Sequence, residues 1–291
     1  MPITHERAFR VRHYECDGYG HVNHVNYVRY MQEVAFDASA AVGYDMDWYT
    51  ENGRYWLIRE TDITYLRPLT YGDSVIIKTW VADFHRVRSR RAYEFRLADS
   101  GEIVATAMTD WVYLDTEAQR PVTITPKMEA AFLPEGSSPD VPPRERFPKA
   151  PTPPPKAYTM RRQVEWGDID PAGHVNNAQY LAYLETAGVE AVNNFGWPMT
   201  RMAEHGFGVV GRRYRIEYKQ QVVMGDELEI TTFIADVKRA TAVRHYLIKR
   251  TSDDSLVARA YAVWVWVDLA TGRPIKVPSA FVTSFEGHIV V

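Results

Sequence analysis

The sequence has very little that could staple or metallate a small domain. Its single cysteine, Cys16, rules out an intrachain disulfide and suits a reducing compartment. Cys-x-x-Cys and His-Glu-x-x-His are absent, which removes the commonest zinc signatures. No apolar run reaches bilayer-spanning length. The opening stretch MPITHERAFRVRHYECDGYG lacks the apolar block of a signal peptide. Charge of either sign is nearly balanced, with 34 Lys and Arg against 37 Asp and Glu. There is thus no basic excess for nucleic acid and no acidic block of the kind found in disordered tails. The expectation is a soluble, cytoplasmic protein without a membrane or nucleic-acid partner. With 291 residues, two domains are expected rather than one.

What is present is a duplication. DGYGHVNH at 17–24 and DPAGHVNN at 170–177 share Asp-x-x-Gly-His-Val-Asn, 153 positions apart. The same offset pairs Tyr27 with Tyr180, Gly72-Asp73 with Gly225-Asp226, Trp111 with Trp264, and Arg120-Pro121 with Arg273-Pro274. No gap is needed from residue 11 to about 126, and about a quarter of the pairs are identical. The period is far too long for a solenoid unit, so two tandem domains are expected. Between them, residues 134–156 hold nine prolines, a composition that reads as a semi-rigid connector. The expected organisation is a repeat over 1–133, a linker over 134–157 and a second repeat over 158–291.

Each copy has the same internal order. Tyr27, Tyr30, Met31, Val34, Ala35, Ala38 and Val42 fall at helical spacing, matched by Tyr180, Tyr183, Leu184, Ala187, Gly188, Ala191 and Phe195. This predicts a helix of about five turns, stopped at Gly43 or Gly196. Four segments rich in β-branched and aromatic residues follow in each copy, among them SVIIKTWVADF and ELEITTFIADV, and read as strands. The predicted class is α+β, with one long helix per copy set against an antiparallel sheet. A lone unit of this kind leaves open edges and an incomplete core. Covalent duplication then does in one chain what a homodimer does in two; further pairing into a homodimer or higher assembly is left open.

The motif lies between the first strand and the start of the long helix. Asp170 there is a candidate general base or nucleophile. Gly173 permits a tight turn, and Asn176-Asn177 fall where a helix cap belongs. The free N–H groups of a helix start suit an oxyanion, and losing one such donor costs about 3–4 kcal/mol of barrier. A carboxylate beside an oxyanion site points to acyl transfer, including ester or thioester hydrolysis. His174 is placed to orient water, shuttle a proton or hold the loop. A metal site on His21 and His24 fails an internal test, because the second copy has Asn177 for His24 and Trp166 for His13. Arg86, Arg88, Arg90 and Arg91 cluster at a turn between strands, with Lys238, Arg239 and Arg244 at the matching place. Arg suits phosphate, so Arg86, Arg88, Arg91, Arg239 and Arg244 are candidate phosphate contacts.

GDIDPAGHVNNAQYLAYLE at 167–185 resembles the active-site segment of hotdog-fold thioesterases of the 4-hydroxybenzoyl-CoA thioesterase type. That pattern is Asp-x-x-Gly-x-Val with a Tyr ten residues after the Asp; Asp170, Gly173, Val175 and Tyr180 meet it, as do Asp17, Gly20, Val22 and Tyr27. HVNN at 174–177 is also similar to acyl-ACP thioesterases, which are tandem double hotdogs. The resemblance implies a double hotdog fold, catalytic Asp170 and Asp17, and oxyanion donors at Asn177 and His24. From the acyl-ACP branch it implies a His at His174, matched by His21, with Glu185 as its acid. That branch also carries an Asn two residues after its Asp, where this chain has Ala172 and Tyr19, so the simpler Asp-plus-oxyanion mechanism is expected. The implied partner is acyl-CoA or an acyl carrier protein. No cofactor is implied beyond the coenzyme A or phosphopantetheine of the substrate. The alternatives are a non-catalytic acyl or carrier-binding hotdog module and a hotdog dehydratase or hydratase.

Overall fold

The computed structural model describes residues 1–134, 141 and 143–290. It divides into two compact units, Met1–Arg146 and Phe147–Val291. The division falls inside the Pro-rich stretch, of which residues 135–140 and 142 lie outside the described residues. Phe147 belongs to the second unit. It packs against Tyr261 and is flanked by the guanidiniums of Arg215 and Arg259, 5.2 and 4.6 Å from its ring. The proline-rich chain from residue 147 onward is thus part of the second compact unit.

In the first unit β1 (Thr4–Arg10) runs through a 3-10 turn at His13–Glu15 into α1 (His24–Ala40) and the short α2 (Met46–Glu51). Strands β2 (Arg54–Tyr65), β3 (Ser74–His85), β4 (Arg88–Leu97) and β5 (Ile103–Asp115) follow, then α3 (Pro126–Phe132). Their antiparallel pairings give the order β1-β3-β4-β5-β2. The second unit repeats every element: β6 (Tyr158–Gln163), a 3-10 turn at Trp166–Asp168, α4 (Asn177–Asn194), α5 (Met199–Glu204), β7 (Phe207–Tyr218), β8 (Glu227–Ala235), β9 (Thr241–Arg250), β10 (Leu256–Asp268) and α6 (Ser279–Ser284). Its order is β6-β8-β9-β10-β7, again antiparallel. Even an irregularity recurs: the register slips between Ile58 and Glu60 on β2, and between Gly211 and Arg213 opposite Val263/Trp264.

The long helices form where the periodicity places them. Tyr27, Tyr30, Met31, Val34, Ala35 and Ala38 of α1 are buried, as are Tyr180, Tyr183, Leu184, Ala187, Gly188 and Ala191 of α4. Each large apolar side chain so buried contributes about 1.5–3 kcal/mol. Small residues on the last strand, Ala105, Ala258 and Ala260, are buried too. No helix among the described residues is long and apolar enough to cross a membrane.

Candidate active site

The loop is built identically in both units. Asp170 N–H donates to His174 O at 2.9 Å, and Gly173 N–H returns to Asp170 O at 2.9 Å; in the first unit Asp17 to His21 is 2.7 Å and Gly20 to Asp17 is 2.9 Å. Gly173 and Gly20 turn the chain at φ 81° and 77°, a region side chains disfavour. Ile169 and Val175 then close the neck as a β-bridge, as Cys16 and Val22 do in the first unit. The helix starts at the loop's far end. Asn176 caps α4 by accepting Ala178 N–H at 2.9 Å, and Asn23 accepts Val25 N–H at 3.0 Å on α1.

The carboxylates differ in their surroundings. Asp17 accepts Tyr19 N–H at 2.8 Å and His21 N–H at 3.2 Å. Asp170 accepts Ala172 N–H at 2.9 Å. Burial pushes the Asp170 carboxyl above its ordinary value, and the Ala172 N–H and the His174 charge only partly offset it. Asp170 is thus less acidic than a fully solvated carboxylate.

Asn177 opens α4. Asn176 Oδ1 takes Ala178 N–H and Asn176 O takes Gln179 N–H. The Asn177 N–H has no hydrogen-bond partner among the described residues. Its own carbonyl accepts the Tyr218 hydroxyl at 3.1 Å. His24 holds the same place on α1, with Tyr65 edge-on to its ring at 4.3 Å. His174 is half-buried and follows Gly173 on the loop.

Other residues expected at the site lie elsewhere. Glu185 sits eight residues beyond Asn177 on α4, a rise of about 12 Å along the helix. The arginine cluster separates. Arg86 and Arg239 are exposed at matching β-turns. Arg88 is bound bidentately by Asp110, at 3.1 and 2.6 Å. Arg91 and Arg244 are buried, not on the turn: Arg244 is 1% exposed and lies over the Trp264 ring at 4.7 Å. Arg91 lies over Phe132. Neither reaches a phosphate at the surface, because residues 91, 93 and 95 share the inward face of β4, as 244, 246 and 248 do on β9. The sequence reading missed one pair, Glu15 and Asp168. Both are buried acids two residues before the motif Asp, and an acid at that offset in both copies was the available signal.

With this geometry in hand, relatives can be set beside it. The Thioesterase-like superfamily profile matches residues 11–132 and 164–285, once per unit. The chain belongs to that superfamily. Among similar proteins, a palmitoyl-acyl carrier protein thioesterase of Cuphea hookeriana is 24% identical over 193 residues, 62% of this chain and 46% of that protein. A long-chain acyl-CoA thioesterase of Escherichia coli is 30% identical over 110 residues, 37% of this chain and 80% of that protein. The chain thus spans about half the length of the first of these. The 12:0-ACP thioesterase of Umbellularia californica superposes with a TM-score of 0.73 at 21% identity, covering 90% of this chain and 93% of that one. Superfamily and superposition agree on tandem hotdog units.

Proposed function

We propose that the chain is an acyl thioesterase, with its principal site at Asp170. The observation that carries the reading is the unpartnered Asn177 N–H at the start of α4, at the far end of the short loop that begins with a carboxylate raised by burial. The thioester oxygen sits at the Asn177 N–H. Asp170 takes a proton from water as it attacks the carbonyl carbon, or attacks directly to give an anhydride that water then opens. The tetrahedral oxyanion collapses, the C–S bond breaks, and the thiolate leaves to take up a proton. The helix-start donor is stronger toward the oxyanion than toward the ground-state carbonyl, which is what lowers the barrier. His174 stands beside Asp170 on the loop, placed to orient the water or shuttle a proton. Asp17, with His21 and His24, is a second site of the same design. No cofactor enters the reaction.

The substrate class is acyl-CoA or an acyl carrier protein, which is what relatives of both kinds act on by name. Exposed Arg86 and Arg239 are the arginines left to meet its phosphate. A cytoplasmic setting suits a chain with one thiol. The test is free-thiol release from acyl-CoAs of graded length and from acyl carrier protein, using wild type, Asp17→Asn, Asp170→Asn and the double variant. Asp170→Asn should lose about 10²–10⁴-fold in rate, and Asp17→Asn less. Absence of release by wild type from both substrate classes overturns the reading.

A further inference from the structure

Asp170 sits on the loop and the Asn177 N–H on the helix. Beside the loop's own hydrogen bonds, a carboxyl group two residues earlier ties the two from outside the motif. Asp168 is 3% exposed. Its Oδ2 accepts Glu165 N–H at 3.0 Å, its Oδ1 accepts Gln179 Nε2 at 2.7 Å, and the Arg162 guanidinium stands at 3.5 Å. Its backbone oxygen accepts Asn176 N–H at 2.9 Å. One residue thus ties the end of β6, the 3-10 turn, the helix cap and the third residue of α4.

The first unit ties the same segments by different bonds, with a methylene moved from one partner to the other. Glu15 replaces Asp168 and Asn26 replaces Gln179. The longer acid reaches one turn further, to the Tyr30 hydroxyl at 2.6 Å, and also accepts Arg12 N–H at 2.7 Å. The shorter Asn26 bonds the Glu15 backbone oxygen at 2.9 Å. Tyr183, the counterpart of Tyr30, lies close to Asp168, yet its hydroxyl has no well-formed hydrogen bond. The two pairs, Glu with Asn and Asp with Gln, are alternative solutions to one requirement.

We infer that Asp168 is a positioning residue for thioester hydrolysis, holding Asp170 and the Asn177 N–H in register through Gln179 and the Asn176 backbone. This rests on the thioesterase reading above. It does not touch substrate; it acts on groups that do. Catalytic geometry tolerates about 0.5 Å, and a 1 Å displacement costs about 10²-fold.

The test uses the full chain. Asp168→Asn should lower kcat about 10–100-fold with KM within about threefold. Asp168→Glu combined with Gln179→Asn transplants the first unit's solution, with Tyr183 available to the longer acid. That double variant should return kcat to within about threefold of wild type, as neither single variant does. Amide exchange at residues 174–178, measured without substrate, should quicken in Asp168→Asn and slow again in the double variant. The inference is overturned if Asp168→Asn keeps kcat within twofold, or if the double variant restores amide protection and melting temperature but not kcat. A wild type that releases no thiol sinks the thioesterase reading instead; the exchange arm then decides the tie alone, and unchanged protection in Asp168→Asn overturns it.

Discussion

At the scale of single residues, Asp168 and Asp170 are two carboxyls whose acidities the fold moves in opposite directions. At Asp168, burial raises the carboxyl, but hydrogen bonds from Glu165 N–H and Gln179 and the Arg162 charge more than reverse it, so it sits below its ordinary value. Its stabilisation is present above the unfolded carboxyl value and is lost as pH falls through the folded one. Asp170 is raised, so its contribution is present at acid pH and lost as pH rises through its folded value. Ionised Asp170 therefore works against stability at neutral pH. Asp170→Asn should raise the melting temperature at pH 7 while slowing thiol release, and the wild-type acid limb of kcat/KM should have its midpoint above about 3.9. A melting temperature lowered by this substitution would mean the carboxylate is structural. The His288 imidazole is strongly perturbed in the opposite direction from Asp170. Burial, then the Arg244 charge, push its imidazole down to about 4, and Nδ1 lies 3.1 Å from Lys156 O. Fully buried and neutral, it costs the folded state as pH falls from about 6.5 to 4, by about 3 kcal/mol. Urea titrations across that range should show the slope in wild type and its loss in His288→Asn.

At the scale of elements, the duplication supplies its own controls. On β5, Thr109 Oγ1 accepts the Trp111 indole N–H at 2.6 Å and donates to the Tyr93 hydroxyl at 3.2 Å. The second copy has Ala262 in that place, and Tyr246 Oη and Trp264 Nε1 are buried without a well-formed hydrogen bond. Ala262→Thr should return both partners and stabilise by about 1 kcal/mol, seen as a higher denaturation midpoint; a lower one would mean the strand cannot house the methyl. Gly188 gives the opposite sign. A Cβ there would meet Trp264 at 2.8 Å and the Tyr246 hydroxyl at 3.2 Å. Gly→Ala normally favours a helix by about 1 kcal/mol, but here overpacking of about 1–3 kcal/mol should prevail. The first copy accommodates Ala35 at this position. Long elements were legible because helical spacing and β-branched runs repeat at one offset. The six-residue helices were not: α2 has its cap at Asp45, whose side chain accepts Trp48 N–H, but too few turns for a periodic face. Arg91 and Arg244 were assigned by proximity to a turn, whereas strand alternation with Tyr93 and Tyr246 puts them inside. The motif loop was legible as a repeated string, yet its tie through Asp168 was not, because acid length and partner length change together between copies.

At the scale of the whole molecule, one fold has been packed twice, to different standards. Beyond the C-terminal end of α4, Trp197, Phe207, Trp266, Phe281 and Phe285 close together as a buried cluster. The corresponding residues of the first unit are Tyr44, Arg54, Tyr113, Met128 and Phe132, and a cleft of about 580 Å³ remains there, bordered by Tyr44, Trp48, Arg54, Tyr113 and Lys127. Arg54 is held at its edge by Asp115 at 2.6 Å rather than sunk in the core as Phe207 is. Tyr44, Tyr113, Met128 and Phe132 are themselves buried, so the difference lies at the cleft beside Arg54, and local opening free energy follows buried apolar contact. Amides of α2 and α3 should exchange faster than those of α5 and α6 in the intact chain. Tyr44→Trp, which borrows the second unit's residue, should slow exchange in α2 and α3 and leave α5 and α6 unchanged. Equal protection in the four helices would mean that the cleft costs the first unit nothing. In that case the aromatic filling of the second unit reflects a demand other than stability.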